Sequence, residues 1–353
     1  MHVQELHDAP LAPLTTFRLG GPATRLVTAT TDAEVVAAVR AADESGTPLL
    51  VIGGGSNLVI GDKGFDGTAL RMATTGVSFD GNVLELAAGE NWSDAVARTV
   101  EAGLAGIECL AGIPGSAGAT PIQNVGAYGQ EVSDTITEVV AYDRTTGETV
   151  TLTNAECAFR YRHSLFKDQP DRYVVLRVRF RLEDAGGLSA PIKYPETARA
   201  LGVEAGQRVP AAVARETVLA LRAGKGMVLD PADHDTWSAG SFFHNPILAD
   251  EAYAAFLARV QDRLGADVTP PAYPAGEGRT KTSAAWLIDK AGFTKGYGTG
   301  PARISTKHTL ALTNRGHATT EDLLALAREV VAGVHEAFGI TLVKEPVTVG
   351  VTL

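Results

Sequence analysis

The spacing of apolar and polar residues predicts an alternation of strands and helices near the N-terminus. Residues 14–28 are expected to form a strand with a Gly-Gly-Pro turn. Thr31 and Glu34 have the spacing of a capping box, which marks the start of a helix that should stop at Gly46. The short apolar run at residues 48–52 predicts a buried strand. These elements together describe an α/β unit.

The same patterns predict the elements of the rest of the chain. Strands are expected at residues 58–62, 68–72, 83–87, 135–142, 148–152, 173–182, 310–312 and 341–353. Helices are expected at residues 93–102, 210–223, 249–264, 283–291 and 319–338. Residues 183–208 show little apolar pattern, and they predict a long loop that contains Tyr194.

A glycine-rich segment follows the first predicted strands, at residues 113–131. It contains four glycines, two prolines and one acidic residue, and it shows neither helical nor strand periodicity. Glycine allows the backbone to approach a ligand closely, and a long segment of this kind in a compact domain is usually functional or disordered. Because disorder favours charge, we interpret the segment as an ordered wall around a large, flat, polar ligand. A plain surface loop is the alternative.

A second glycine loop, Gly53 to Asn57, lies after the predicted buried strand. Its backbone N–H groups are suited to an anion, which predicts a phosphate-binding site; a tight structural turn is the alternative. The loop is not a dinucleotide fingerprint, because Leu58 stands where the third glycine should be. A P-loop is also excluded near Lys225, because Gly226 replaces its Ser or Thr.

Composition limits the classes of protein that the chain can represent. A length of 353 residues predicts two or three domains. The net charge of −10 argues against nucleic acid as the main partner. No run of eighteen apolar residues predicts a membrane-spanning helix, and residues 1–8 lack the basic and apolar regions of a signal peptide. We therefore expect a cytoplasmic protein with no membrane insertion and no obligate protein partner.

The cysteines and histidines do not predict a metal site. Cys109 and Cys157 have neither metal nor redox spacing, and we expect buried free thiols. The eight histidines include no pair at zinc-site spacing on a helix. No metal is therefore predicted.

Two further segments carry candidate chemistry. In an extended segment Arg160 and Arg162 would share a face, so either could point into a site; an exposed pair is the alternative. Ser241 and His244 lie among aromatic residues and could suggest a nucleophile and its base. No Gly-x-Ser-x-Gly elbow surrounds Ser241, so acyl chemistry is a weak hypothesis. A glutamate beside proline, such as Glu345, is usually exposed.

Four motifs, in this order, resemble the UDP-N-acetylenolpyruvoylglucosamine reductase family. They are Thr15-Thr16-Phe17-Arg18-Leu19-Gly20-Gly21, Gly53-Gly54-Gly55-Ser56-Asn57, Gly112-Ile113-Pro114-Gly115-Ser116 with its continuation to Glu131, and Gly240-Ser241-Phe242-Phe243-His244-Asn245-Pro246. The resemblance covers essentially the whole chain. It implies an α+β fold, in which a two-subdomain FAD-binding region of the PCMH or vanillyl-alcohol-oxidase type is joined to a C-terminal α+β substrate domain.

The resemblance also implies a division of the chain and a subtype. Residues 1–68, with the strand at 340–353, would form the first FAD-binding subdomain, and residues 69–222 the second. Residues 223–339 would bind the substrate. Tyr194, in a loop near 190–208, is similar to the tyrosine that folds over the substrate in type I reductases.

Members of this family are flavoenzymes that act in peptidoglycan precursor synthesis. The resemblance implies that NADPH reduces noncovalent FAD, and that UDP-N-acetylglucosamine enolpyruvate, a small-molecule substrate, is then reduced to UDP-N-acetylmuramate. Hydride goes from flavin N5 to the vinyl methylene carbon, and a proton goes to the adjacent carbon. Negative charge develops at the substrate carboxylate, in an enolate-like intermediate.

The resemblance assigns roles in this reaction to three residues. Ser241 matches the proton donor, which can serve only if the carbon is strongly basic and the proton is positioned in advance. Arg162 matches the arginine that holds the carboxylate, a group that a guanidinium binds bidentately. Glu345 matches a carboxylate beside the intermediate. Because an anion there is not obviously favourable, we expect it to act protonated or to position another donor.

Binding residues are also implied by the match. Those for FAD are Gly53, Gly54, Gly55, Ser56, Asn57, Ile113, Pro114, Gly115, Ser116, Ala119 and Gln123. Those for the substrate are Tyr128, Tyr194, Lys225 and Asn245, with Lys225 suited to the diphosphate. His244 departs from relatives that carry lysine there.

Two rival functions are considered beside the reductase. An oxidase with the same flavin domain would not need Ser241, Arg162 and Glu345. A catalytically silent nucleotide-sugar-binding protein would bind UDP-sugars without flavin, and the glycine loops argue against it.

Overall fold

The computed structural model describes residues 4–353 and divides them into two compact units. Residues 1–3, part of the segment tested for a signal peptide, lie outside the described residues. The first unit comprises the described residues up to Ala9, Ala23–Gly55 and Phe65–Val228; the second comprises Pro10–Pro22, Ser56–Gly64 and Leu229–Leu353. The division into functional parts at residues 1–68, 69–222 and 223–339 stays a prediction.

Eight α-helices are found in residues 4–353. They are α1 (Asp32–Ser45), α2 (Trp92–Glu101), α3 (Leu165–Asp168), α4 (Pro195–Leu201), α5 (Ala211–Gly224), α6 (Asp250–Leu264), α7 (Ala284–Lys290) and α8 (Thr320–Phe338). All six predicted helices are confirmed within one or two residues. The prediction of an unbroken loop over residues 183–208 is wrong, because α4 forms within it.

The described residues also form twenty strands, most of them short. In the first half they are β1 (Gln4–Pro10), β2 (Pro22–Ala29), β3 (Leu49–Ile52), β4 (Leu58–Ile60), β5 (Phe65–Met72), β6 (Val77–Asp80), β7 (Val83–Ala87), β8 (Leu104–Ala105), β9 (Gly126–Ala127) and β10 (Gln130–Glu131). In the second half they are β11 (Ile136–Asp143), β12 (Glu148–Thr153), β13 (Tyr173–Arg181), β14 (Glu183–Asp184), β15 (Ile247–Ala249), β16 (Ala272–Pro274), β17 (Arg279–Thr282), β18 (Ala302–Ile304), β19 (Leu312–Asn314) and β20 (Val347–Val349).

The ends of α1 follow from local sequence. The Thr31 hydroxyl accepts the N–H of Glu34 at 3.2 Å, as the capping spacing predicts. The Glu34 carboxylate reaches one residue further back and accepts the Thr30 N–H at 2.8 Å. Gly46 ends the helix with φ of +64°, a conformation that glycine adopts without steric cost.

The first unit is built on two sheets with a shared core. One sheet has the order β1-β2-β5-β3, in which β2 and β3 both pair with β5 in parallel; the other has the antiparallel order β12-β11-β13-β7-β6. Val35 and Val39 of α1, Trp92 of α2 and Phe180 of β13 belong to one buried cluster. Helices and the strands of both sheets thus pack in one core, as expected for an α+β fold.

The second unit takes in part of the N-terminal segment. Its elements include the antiparallel sheet β15-β17-β16, the pair β18-β19 and the parallel pair β20-β4. The predicted strand at residues 14–28 is wrong before Pro22. Thr16 donates to the carbonyl of Ser238 at 2.6 Å, and Asn314 donates to the carbonyl of Phe17 at 2.9 Å. These contacts hold Thr15–Gly21 as a loop in this unit.

The C-terminal strand is shorter than predicted. Of residues 341–353 only Val347–Val349 form a strand.

Both cysteines are free and buried, as predicted, and burial is the larger cause that raises the pKa of each thiol to about 12. Over residues 4–353 no helix combines the length and apolarity needed to cross a membrane.

Candidate active site

The two predicted glycine loops contact each other in the first unit. A Cβ added at Gly53 would lie 2.3 Å from Ser116 Oγ, and one added at Gly54 would lie 2.5 Å from the Cα of Gly115. Real Cβ atoms do not approach other atoms so closely, so a side chain at Gly54 would clash with backbone, and one at Gly53 would force the Ser116 hydroxyl to move. The backbone of the first loop therefore lies directly against the start of the second.

These loops leave backbone donors available. Within the described residues, the N–H groups of Gly53, Gly54 and Gly55 donate to no other backbone group. Backbone N–H groups that gather at a turn without partners form an anion-binding concavity. Gly55 adopts φ of +61°, which permits such a turn. The close glycine packing and the unpaired donors both fit a cofactor that carries a diphosphate, such as FAD.

The second loop is ordered by hydrogen bonds to the strand β7 region. The N–H of Gly118 donates to Ala88 O at 2.9 Å, and the N–H of Ala117 donates to Glu90 O at 2.8 Å. A short 3-10 helix follows at Ala117–Ala119. Ser116 is buried, whereas the other predicted cofactor residues of this loop, Ile113, Pro114, Gly115, Ala119 and Gln123, are half-buried. This order confirms the expectation that the segment is not a disordered linker.

Ser56 and Asn57 belong to the second unit, where Asn57 lies beside the C-terminal segment. The N–H of Val347 donates to Asn57 O at 2.9 Å, and Asn57 Nδ2 donates to Glu345 O at 3.5 Å. The structure thus brings a predicted cofactor residue to a predicted catalytic residue.

Ser241 and Glu345 are also held together in the second unit. The segment after Ser241 pairs in antiparallel fashion with the segment before Pro346: Glu345 N–H donates to Phe242 O at 2.8 Å, and His244 N–H donates to Val343 O at 3.0 Å. The His244 Nδ1 lies 3.6 Å from Glu345 Oε2. Phe242 is fully buried and anchors the pairing in the core.

Asn245 has a structural contact. Its side-chain oxygen accepts the N–H of Ala284, the first residue of α7, at 2.9 Å. A contact of this kind satisfies one of the donors left unpaired at a helix start. The predicted substrate role of Asn245 therefore concerns the remaining amide donors.

Arg162 lies in a tight turn of the first unit, and not on an extended segment. Arg160 and His163 exchange backbone hydrogen bonds at 2.9 and 3.1 Å, and Arg162 adopts φ of +52°. The expectation that Arg160 and Arg162 share a face is therefore wrong. The turn separates them: Arg160 pairs with Asp168 at 2.9 Å and is exposed, whereas Arg162 Nη2 donates to Gly126 O at 2.6 Å.

Tyr128 and Tyr194 form an aromatic pair beside Lys225, also in the first unit. Their ring centroids are 5.5 Å apart at 85°, and Lys225 Nζ lies 5.6 Å from the centroid of Tyr128. Burial raises the pKa of Tyr128 against the opposing influence of Lys225 and Arg222. Three of the four predicted substrate residues thus lie in one cluster.

Lys225 has an acidic partner that sequence reasoning missed. Its Nζ donates to Glu196 Oε2 at 2.6 Å. Burial is the largest influence on the pKa of Lys225 and lowers it, but Glu196 and Tyr128 outweigh burial and the pKa is raised overall. Glu196 lies in the first turn of α4. The Tyr-Pro-Glu sequence could have predicted the start of this helix, because proline is common at the first helical position.

Arg222 is a second residue that sequence reasoning missed. It is buried, burial lowers its pKa to about 10, and within residues 4–353 it forms no ion pair and its Nε has no hydrogen-bond partner. Its Nη2 donates to Met227 O at 2.9 Å. Ala214, Val218 and Arg222 lie on one buried stripe of α5, so helical periodicity could have predicted the burial.

The predicted catalytic and substrate residues occur in both units. Arg162 and the tyrosine pair belong to the first unit, and Ser241 and Glu345 belong to the second. Among the described residues no group of three or more His, Cys, Asp or Glu side chains has an arrangement that could hold a metal ion.

Family models match both parts of the chain. A FAD binding domain matches residues 23–153, and the C-terminal domain of UDP-N-acetylenolpyruvoylglucosamine reductase matches residues 230–349. The two matches define a flavin-dependent oxidoreductase. FAD is its cofactor, in agreement with the close packing of the two glycine loops and with the unpaired N–H groups of the first.

Relatives and solved structures agree over the full length. UDP-N-acetylenolpyruvoylglucosamine reductase of Streptomyces avermitilis is 84% identical over 100% of this chain and 97% of its own. That of Thermobifida fusca is 59% identical, over 98% of each chain. The crystal structure of the reductase from Thermus caldophilus is similar, with a TM-score of 0.66, 26% identity and 99% coverage of both chains.

The chain belongs to the UDP-N-acetylenolpyruvoylglucosamine reductase family. The predicted family, enzyme class and α+β fold with its FAD-binding and C-terminal domains are confirmed.

Proposed function

We propose that the protein catalyses the NADPH-dependent reduction of UDP-N-acetylglucosamine enolpyruvate to UDP-N-acetylmuramate, a step of peptidoglycan precursor synthesis in the cytoplasm. The pairing of the Ser241 and Glu345 segments carries this proposal, because it fixes a hydroxyl and a carboxylate on two adjoining backbone segments. Noncovalent FAD, once reduced by NADPH, supplies the hydride for the vinyl methylene carbon. The proton for the adjacent carbon must come from the protein.

In this proposal Ser241 donates that proton. Hydride addition leaves an electron pair on the carbon beside the substrate carboxylate, and the proton from Oγ completes the two-electron reduction. A serine hydroxyl is a weak acid, so the donor must be positioned in advance. The Phe242 hydrogen bonds to Leu310 and Glu345, at 2.8 Å each, hold the backbone that carries Ser241.

Arg162 is proposed to bind the substrate carboxylate as negative charge develops on it. A guanidinium has five N–H donors in a planar fork and binds a carboxylate bidentately. The hydrogen bond from Nη2 to Gly126 O orients the group. Glu345 acts beside the same intermediate, either protonated or by positioning another donor. Glu345 Oε2 lies 3.6 Å from His244 Nδ1, which makes the imidazole its neighbour on the paired segment.

The remaining residues are proposed to bind the ligands. Gly53, Gly54, Gly115 and Ser116 would hold the FAD diphosphate through backbone N–H groups. Tyr128 and Tyr194 would cover the substrate, with Lys225 and Asn245 as its polar contacts. The observed cluster of Tyr128, Tyr194 and Lys225 supports this assignment.

The test separates the two half-reactions by anaerobic stopped-flow spectroscopy of Ser241→Ala. We expect flavin reduction by NADPH at the normal rate and a strongly slowed reoxidation by the enolpyruvyl substrate, because only the second step needs the proton. Ser78→Ala, the same change at an exposed serine of β6, is the matched control. Equal loss in both half-reactions would refute the role of Ser241.

A further inference from the structure

Lys225, the proposed ligand of the substrate diphosphate, already forms an ion pair with Glu196. Lys225 follows α5, and Glu196 is in the first turn of α4. Their Nζ and Oε2 atoms are 2.6 Å apart, and about a third of each side chain is exposed. The ammonium therefore already has a negatively charged partner before any phosphate arrives.

The carboxylate belongs to the same short element as the substrate tyrosine. Tyr194 is the N-cap residue of α4, two positions before Glu196. Its ring contacts Tyr128, and the Lys225 ammonium lies over the Tyr128 ring. One helix end thus presents both an aromatic group and a negative charge to the proposed diphosphate subsite.

Helix α4 is firmly packed, so the fold fixes the position of Glu196 beside Lys225. Thr197 and Ala198 are buried, and Ala198 packs in a cluster with Ala214 and Val218 of α5. The segment just before α4 packs closely on Gly129: a Cβ added at Gly129 would lie 3.0 Å from the Cβ of Lys193. The backbone of α4 therefore delivers Glu196 to Lys225.

A carboxylate at this place opposes the binding of phosphate. An ammonium offers three donors, and Glu196 accepts one of them. An incoming diphosphate must replace this carboxylate or share Lys225 with it, and like charges at hydrogen-bond distance from one cation repel each other. Arg222 adds a positive charge near Tyr128 but lacks an acid of its own, so Glu196 is the negative group that limits the attraction.

We propose that Glu196 competes with the ligand diphosphate for Lys225, so that its carboxylate occupies the ammonium until a diphosphate displaces it. The inference rests on the proposed function, in which Lys225 binds the substrate diphosphate. The resident carboxylate weakens the binding of every phosphate ligand. The penalty is the same for all of them, so it lowers the affinity of the subsite for phosphate groups and leaves the choice among phosphate ligands to the remaining contacts, such as the tyrosine pair.

The test measures UDP binding to the FAD-loaded protein by isothermal titration calorimetry. Glu196→Gln keeps the shape of the side chain and removes its charge. We expect the Kd for UDP to fall about two- to fivefold, the range of a partly exposed ion pair, and Glu196→Ala to change it in the same direction. Glu216→Gln is the matched control, because Glu216 is exposed on α5 and loses the same charge. Its Kd should equal that of the unmodified protein.

Lys225→Met identifies the route of the effect. It should weaken UDP binding, and Glu196→Gln should have no further effect in its background. An unchanged or higher Kd for Glu196→Gln, an equal gain from Glu216→Gln, or an equal gain without Lys225 would each overturn the inference. If Lys225→Met binds UDP as well as the unmodified protein, the proposed role of Lys225 fails as well. Normal FAD content and Tm of Glu196→Gln show that its fold is intact.

Discussion

The contact between the two glycine loops makes Gly54→Ala a sharp test of the cofactor site. The new Cβ would lie 2.5, 2.9 and 3.2 Å from the Cα, C and N atoms of Gly115. Carbon atoms in contact are normally about 3.5–4.0 Å apart, so the two backbones must separate by about 1 Å. Overpacking of this kind costs about 1–3 kcal/mol.

Two quantities report the effect of this substitution. For a unit of this size, 1 kcal/mol corresponds to about 2–4 °C, so the Tm should fall by roughly 2–12 °C. The FAD content, read from visible absorbance per mole of protein, should also fall, because the N–H groups at Gly53 and Gly54 move. Gly224→Ala is the matched control, since a Cβ there meets nothing within 4 Å.

A companion substitution distinguishes a local clash from general damage. The Cβ of Gly53→Ala would lie 2.3 Å from Ser116 Oγ but 3.4 Å from Ser116 Cβ. Ser116→Ala removes the nearer atom, so it should restore much of the stability lost in Gly53→Ala. It should not rescue Gly54→Ala, whose obstacle is backbone. The reasoning is refuted if Gly54→Ala retains the FAD content and Tm of Gly224→Ala, or if Ser116→Ala rescues both variants equally.

Three further outcomes follow from the contacts described above. Tyr194→Phe should raise the substrate KM in steady-state assays more than it changes FAD content, and loss of FAD instead would contradict its place at the substrate. Cys109 and Cys157 should not react with a thiol reagent in the native protein at neutral pH, because burial raises both pKa values to about 12; rapid labelling before unfolding would contradict this. Asp143→Asn should lower the Tm at pH 7, since the Arg172 ion pair holds the pKa of Asp143 below its ordinary value. A carboxyl with a lowered pKa stabilises the fold above that ordinary value and stops doing so as pH falls, so the Tm difference should shrink below about pH 4, and a constant difference would count against the ion pair.

Local sequence signals were sufficient for elements whose ends are capped by their own residues. Helix α8 begins where Thr319 and Asp322 cap each other and ends at Gly339, which has φ of +70°. Each signal lies within a few residues of the structure it determines, so no tertiary contact is needed to read it.

Elements determined by distant contacts could not be predicted in this way. The loop Thr15–Gly21 reads as strand, but hydrogen bonds that join Thr16 to Ser238 and Phe17 to Asn314 hold it in the second unit. Helix α4 was missed because Leu201 is the only large apolar residue among its seven, so no apolar stripe marks it.

In the candidate site, too, features set by local sequence could be predicted and those set by distant contacts could not. The two glycine loops were recognisable as ligand-binding segments because glycine and proline content is a local property. That the loops contact each other is a tertiary fact, as is the ion pair between Glu196 and Lys225, 29 residues apart. The turn at Arg162 depends on a positive φ in a residue that rarely adopts it, so the extended prediction failed there.

The most direct test of the proposed reaction is an anaerobic absorbance spectrum of the purified protein, followed through addition of NADPH and then of UDP-N-acetylglucosamine enolpyruvate. We expect the flavin bands to bleach with NADPH and to recover on addition of the substrate. Bleaching followed by recovery only when air is admitted would contradict the reductase function and indicate an oxidase. A protein that stays colourless after added FAD would contradict the assignment of both glycine loops.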